Sequence, residues 1–209
     1  MSLQAVIFDY GMVLTGPPAP EAHAELVRIT GISAERLDKL YWALRPAFDA
    51  GSLTGQDYWR EIAREAGLNL PESAIEELVR WDARMWMTMN PAMLAWQAKL
   101  KECGLRTAIV SNLGDTVHQA MVCEFHWLKR FDVLVWSYQV GVTKPDPAIY
   151  RYALEKLSTL PEETLLIDDK QPNVDAAIEM RMKGFVFTSI EELRVDLAAA
   201  HLDTGLPMP

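Results

Sequence analysis

From Pro91 onward, short apolar, β-branched runs alternate with helix-forming stretches, and this rhythm restricts the fold more than any other feature of the chain. RTAIV (106–110), DVLVW (132–136), TLLID (164–168) and FVF (185–187) have the length and composition of strands. Between and after them the pattern predicts helices at 91–102, 115–125, 147–157, 173–182 and 190–200. Short, apolar, β-branched strands alternating with helices imply a parallel sheet covered on both faces. QAVIF (4–8) has the same character and is expected to join that sheet. The expected fold is α/β: a Rossmann-like parallel sheet of about five strands with helices on both faces.

The stretch between the first strand and the rest reads differently. GPPAP (16–20) forbids helix and sheet alike, and no strand-like alternation follows until Asn90-Pro91. Four helices are predicted here: 21–30, ended by Gly31; 34–44, with Ser33 as N-cap and Pro46 as stop; 55–66, between Thr54 and Gly67; and 72–88. Residues 17–90 are therefore expected to form a helical bundle inserted into a core made of 1–16 and 91–209. Because the residue before a proline avoids helical angles, Arg45 to Asp49 is expected as a loop dipping toward the first strand. That makes Arg45 and Phe48 candidates for substrate contact, against the plainer reading of Arg45 as a solvated helix-end residue.

Composition narrows the partners. At about 150 residues per domain, 209 residues suit one large domain or one domain with an insertion. The formal charge of −9 and the lack of any basic cluster beyond Lys129-Arg130 argue against nucleic acid, whose backbone demands clustered cations. The first apolar run, AVIF, ends at Asp9, short of the roughly 7–15 residues of a signal peptide and the roughly 20 of a membrane span. Cys103 and Cys123 have no CxxC partner, which fits a reducing compartment and argues against a disulfide scaffold or structural zinc. These readings point to a cytoplasmic protein with no membrane partner, as a monomer or homodimer.

In an open α/β sheet, ligands bind beyond the carboxyl ends of the strands, so the residues that follow each strand matter most. They are Asp9-Tyr10-Gly11, Ser111-Asn112 and Asp168-Asp169, with Lys144 in the loop leading to the helix at 147. Each has an ordinary structural reading: Ser111 and Asn112 as an N-cap and turn, Lys144 as a solvated cation, the aspartates as helix caps. As a set they say more. A carboxylate at the end of a buried strand needs a cation or several donors, and adjacent carboxylates cannot both ionise cheaply. A divalent ion such as Mg²⁺, which takes hard oxygen ligands, resolves both problems. With a hydroxyl and a fixed ammonium nearby, the set forms a cationic clamp for a phosphate, leaving one carboxylate to attack phosphorus.

FDYGMVLTG, IVSNLGD, GVTKPDPAIY and LLIDDKQPNVDAA resemble the four ordered motifs of the haloacid dehalogenase-like hydrolase superfamily. The resemblance runs from about 4 to 190 and puts the helical insertion where that superfamily carries a helical cap. It is closest to the branch whose fourth motif ends in two aspartates, which contains sugar-phosphate phosphatases. The resemblance implies that Asp9 is a nucleophile forming an aspartyl-phosphate, and that Asp9, the Gly11 carbonyl and Asp169 hold Mg²⁺ with Asp168 beside them. It assigns Ser111, Lys144 and the backbone amide of Asn112 to the transferring phosphoryl group of a small phosphorylated metabolite. Metal-independent dehalogenases of the superfamily use a similar aspartate, Ser-Asn and lysine, but lack the acidic pair and carry an aromatic residue where Gly11 stands here. A non-catalytic binding domain of the same fold is the remaining alternative.

One departure from the family pattern stands out. Its phosphatases usually place an acid/base aspartate two residues after the nucleophile, and here that position is Gly11. General acid–base help is worth about 10²–10⁴-fold, so a substrate with a good leaving group, such as a sugar 1-phosphate or acyl phosphate, is expected. The stripes Trp81-Met85-Met89 and Trp86-Met89-Met93 are expected as core packing, with a substrate roof or dimer seam as the other reading. The four histidines show no metal-ligand spacing, and 201–209 is expected as an irregular tail.

Overall fold

The computed structural model describes residues 2–202 and 204–209. Five strands, β1 (Ala5–Phe8), β2 (Arg106–Ser111), β3 (Val133–Trp136), β4 (Thr164–Asp168) and β5 (Lys183–Val186), form one sheet in the order β3-β2-β1-β4-β5, all parallel. Successive side chains of β1 face opposite sides, as strand geometry requires. Val6 and Phe8 pack with Trp96, Leu100, Val117 and Leu197 on one face. Ala5 and Ile7 pack with Ile149, Tyr150 and Ala177 on the other. A strand buried on both faces is apolar along its middle, which is why AVIF, AIV and LLI in β1, β2 and β4 are legible in the sequence.

The helices of the first stretch are α1 (Pro20–Thr30), α2 (Ala34–Asp49), α3 (Gly55–Ala66) and α4 (Glu72–Met85). They share a separate core around Leu26, Leu37, Tyr58, Trp59, Ile62 and Leu78. The remaining helices are α5 (Pro91–Glu102), α6 (Asp115–Glu124), α7 (Ser137–Val140), α8 (Pro147–Leu157), α9 (Gln171–Glu179) and α10 (Ile190–Ala199). The predicted caps hold: Ser33 Oγ and Thr54 Oγ1 accept from the amides of Arg36 and Asp57, Asp146 accepts from Ala148, and Gly31 and Gly67 end their helices in the left-handed region. The two chain segments entering and leaving α1–α4 pair with each other. Gly16 N–H donates to Thr88 O at 2.8 Å, Asn90 N–H to Leu14 O at 2.8 Å, and Ala19 N–H to Met85 O at 2.9 Å.

Several boundaries differ from expectation. Pro46 does not stop α2, which runs on to Asp49, so the anticipated loop at 45–49 is a helical turn. Pro46 is exposed, so its missing amide falls on the solvent side, while Arg45, Phe48 and Asp49 around it are buried and hold the turn. Tertiary packing overrides the local penalty of proline. The fourth helix ends at Met85 rather than 88, α9 starts two residues early, and the four-residue α7 was not anticipated. Of the tail, the described residues have no regular structure but are tied down: Trp96 Nε1–H donates to Pro207 O at 2.6 Å, and Leu206 is buried.

Candidate active site

The strand order turns at β1: β2 and β3 lie on one side, β4 and β5 on the other. Their register then places the candidate residues. Phe8 is level with Ile109 and Ile167, so Asp9 comes level with Asp168 and emerges beside the end of β2, where Ser111 sits. Ser111 is the last residue of β2 and not an N-cap, because Gly114 holds that position for α6. Ser111 is buried and lines the cavity above the sheet.

Lys144 is not solvated. Its side chain is fully buried, with Nζ 2.9 Å from Asp9 Oδ1 and 2.5 Å from Asp168 Oδ2. Asn112 fixes the loop that carries it: Lys144 N–H donates to Asn112 Oδ1 at 2.7 Å, and Asn112 Nδ2–H donates to Lys144 O at 2.9 Å. The Asn112 side chain is thus engaged in positioning the lysine. Asp168 is fully committed as well, since its second oxygen accepts from Lys170 N–H at 2.9 Å and Asn173 Nδ2–H at 2.8 Å. Asp9 Oδ1 also accepts from Tyr10 N–H at 2.7 Å, while Oδ2 takes neither this bond nor the lysine. Asp169 is half-buried beside them.

Oxygen atoms of Asp9, Asp168 and Asp169 lie within 4.8 Å of one another. Burial pushes the Asp9 carboxyl up to about 7 against the pull of Lys144, and the charges of Asp168 and Asp169 push the same way. Asp169 is raised by the same causes, burial first and Asp168 next. Burial alone would lower the Lys144 ammonium, but Asp9 and Asp168 outweigh it and hold it raised. One buried cation therefore faces three carboxylates, and the surplus negative charge is what a divalent ion would neutralise.

A cavity of about 210 Å³ opens over these groups. Its floor is Asp9, Ser111, Asn112, Lys144 and Asp169, and its other walls come from Met12, Pro18, Trp42, Arg45, Asp49 and Trp86. Arg45, expected in a loop, reaches the cavity from a helix. Its Nε–H donates to Asp49 Oδ1 at 2.8 Å, it bonds the Tyr41 hydroxyl, and its guanidinium lies 5.2 to 5.6 Å from the ring centres of Tyr41, Phe48 and Trp86. Phe48, the other candidate for substrate contact, does not line the cavity. It stacks on Tyr58 at 4.7 Å and presses against Gly114, where an added Cβ would fall 2.1 Å from its ring. Trp86 belongs to a stripe expected as core but walls the cavity, in line with the substrate-roof reading. Sequence reasoning missed Asp49 and Trp42, and the only signal for Asp49 was its spacing of four from Arg45.

The haloacid dehalogenase-like hydrolase pattern matches residues 60–187. The chain is 31% identical over 160 residues to bifunctional epoxide hydrolase 2 of Rattus norvegicus, a match covering 72% of this chain and 28% of that protein. It spans about a third or less of the length of the mammalian epoxide hydrolases it matches. It is 27% identical over 192 residues to a phosphatase from Mycobacterium tuberculosis, covering 89% of this chain and 88% of that one. Among solved structures, a HAD family enzyme from Bacteroides thetaiotaomicron superposes with a TM-score of 0.75 at 18% identity, over 90% and 95% of the two chains. The L-2-haloacid dehalogenase from Xanthobacter autotrophicus gives 0.69 at 20% identity, over 94% and 83%. With a five-stranded parallel sheet, the ordered motifs at its strand ends and a family match over more than half its length, the chain belongs to the haloacid dehalogenase-like hydrolases.

Proposed function

We propose that this hydrolase is a Mg²⁺-dependent phosphatase that works through an aspartyl-phosphate at Asp9 on a small phosphorylated metabolite. The observation that carries the reading is Asp169, a half-buried carboxylate set beside Asp9 and Asp168 where only one buried cation, Lys144, is present to balance all three. The donor set suits Mg²⁺. Asp9, Asp169 and the Gly11 carbonyl would hold it, and Asp168, whose oxygens are taken by Lys144, Lys170 and Asn173, would steady the lysine instead. When bound, the ion supplies charge neutralisation for the phosphoryl oxygens. The Mycobacterium relative is named a phosphatase, and the Bacteroides structural neighbour is known in complex with magnesium and inorganic phosphate.

In this reading Asp9 Oδ2 attacks phosphorus while Lys144 faces its other oxygen. The Ser111 hydroxyl and the Asn112 amide hold the phosphoryl group, and Asn112 keeps Lys144 in place. Residues 17–90 act as the cap that closes over the substrate and excludes water. The organic part of the substrate meets Trp42, Trp86 and the Arg45–Asp49 pair. Two indole faces beside a charged, hydrogen-bonding pair suit a sugar phosphate.

The test is hydrolysis of p-nitrophenyl phosphate with Mg²⁺ and with EDTA. Turnover is expected only with the metal, and Asp9→Asn is expected to abolish it. Phosphate release that survives EDTA would sink the reading. Fluoride or chloride release from a 2-haloacid without metal would point to the dehalogenase alternative.

A further inference from the structure

The phosphatase reading above, on which this inference rests, requires a group to take a proton from the water that hydrolyses the aspartyl-phosphate. Gly11 offers none. The Trp86 ring stands beside it, where a Cβ would make ordinary contact at 3.7 Å. Among the described residues, the carboxylates lining the cavity are Asp9, Asp169 and Asp49, and no histidine lines it. Asp9 carries the phosphoryl group and Asp169 faces the metal position. Lys144, Lys170 and Arg45 are cations without a lone pair to offer. The Tyr10 hydroxyl donates to Trp86 O at 2.8 Å, and burial holds its proton more tightly than usual.

We propose that Asp49, at the end of α2, is the general base for hydrolysis of the aspartyl-phosphate. In that step a water O–H bond breaks and its proton passes to Asp49 Oδ2. The water oxygen bonds to phosphorus, and the bond from phosphorus to the Asp9 oxygen breaks, returning its electron pair to the Asp9 carboxylate. Inorganic phosphate leaves, and Asp49 then gives the proton to solvent. The preceding half-reaction differs. As Asp9 attacks, the ester P–O bond breaks with its electron pair going to the leaving oxygen, which takes its proton from solvent or from the substrate itself. Asp49 is ion-paired with Arg45 through Oδ1 and has no proton to give at that stage.

Placement supports this role. Asp49 is nine-tenths buried, and its backbone is anchored to the phosphate-binding loop rather than only to its own helix bundle. Ser137 Oγ–H donates to Asp49 O at 2.5 Å, and Ser137 Oγ in turn accepts from Leu113 N–H at 2.9 Å. Leu113 follows Ser111-Asn112 directly. A base held by one hydroxyl to the loop that holds the phosphoryl group keeps its distance from phosphorus whenever α2 is docked.

Rapid mixing of Asp49→Asn with p-nitrophenyl phosphate and Mg²⁺ tests the assignment. A burst near one equivalent of p-nitrophenolate is expected, followed by a steady state slowed about 10²-fold or more, with acid-quenched phosphoenzyme persisting correspondingly longer. Ser137→Ala keeps the carboxylate but frees its anchor, and should show the same pattern to a smaller extent. Loss of the burst itself, or a phosphoenzyme decaying at the wild-type rate, overturns the proposal. If Asp49→Asn does not fold, an unchanged phosphoenzyme lifetime in Ser137→Ala overturns it instead. A wild-type protein with neither burst nor turnover refutes the phosphatase reading and this base with it, whereas wild-type turnover with an unaltered Asp49→Asn refutes the base alone.

Discussion

At the scale of single residues, the balance between Asp9 and its neighbours has a measurable sign. Burial pushes the Asp9 carboxyl up to about 7, against an ordinary value of 3.8. The folded chain therefore binds this proton more tightly than the unfolded one. That contribution to stability is whole below about pH 3.8 and is lost as pH rises to about 7. Asp9→Asn cannot lose it, so its melting temperature relative to wild type should climb between pH 4 and 7 in EDTA; a constant difference would contradict the assignment. These site residues were legible in the sequence for a simple reason. Asp9, Ser111 and Asp168 end apolar strands, and strand ends of a parallel sheet converge whatever the details of packing. Asp49 and Trp42 were not legible as cavity residues, because they reach the cavity only through the way a helical bundle lies on the sheet.

At the scale of elements, α2 is the instructive case. Proline rules predict a break at 46, and the helix continues because Phe48 and Asp49 are more stabilising buried than Pro46 is disruptive on the exposed side. The same turn explains Gly114. Its φ of −80° suits any residue, so the glycine is required by space alone. Gly114→Ala should cost about 1–3 kcal/mol, the usual range for overpacking, read as a lower urea midpoint, and should also disturb the adjoining Leu113–Ser137–Asp49 chain. An unchanged midpoint would mean that Phe48 is free to move, contrary to its stack on Tyr58. The strands β1, β2 and β4 were found within a residue because continuous apolar runs leave little choice. Four-residue α7 left no periodic trace, since it spans barely one turn.

At the scale of the molecule, no helix among the described residues is long and apolar enough to cross a membrane. The dominant feature is instead how α1–α4 are attached. The segments on either side of them are hydrogen-bonded to each other at Gly16, Ala19 and Asn90, so any opening that separates them breaks all three bonds together. Hydrogen exchange should therefore give these three amides one common protection factor; three unrelated values would show that the connections move independently. The pairing has a consequence for descent as well as for motion. An insertion whose two ends meet within hydrogen-bonding distance can lengthen, shorten or be exchanged for another without shifting the register of a single strand. The residues at the strand ends keep their places, and only the wall above them is exchanged.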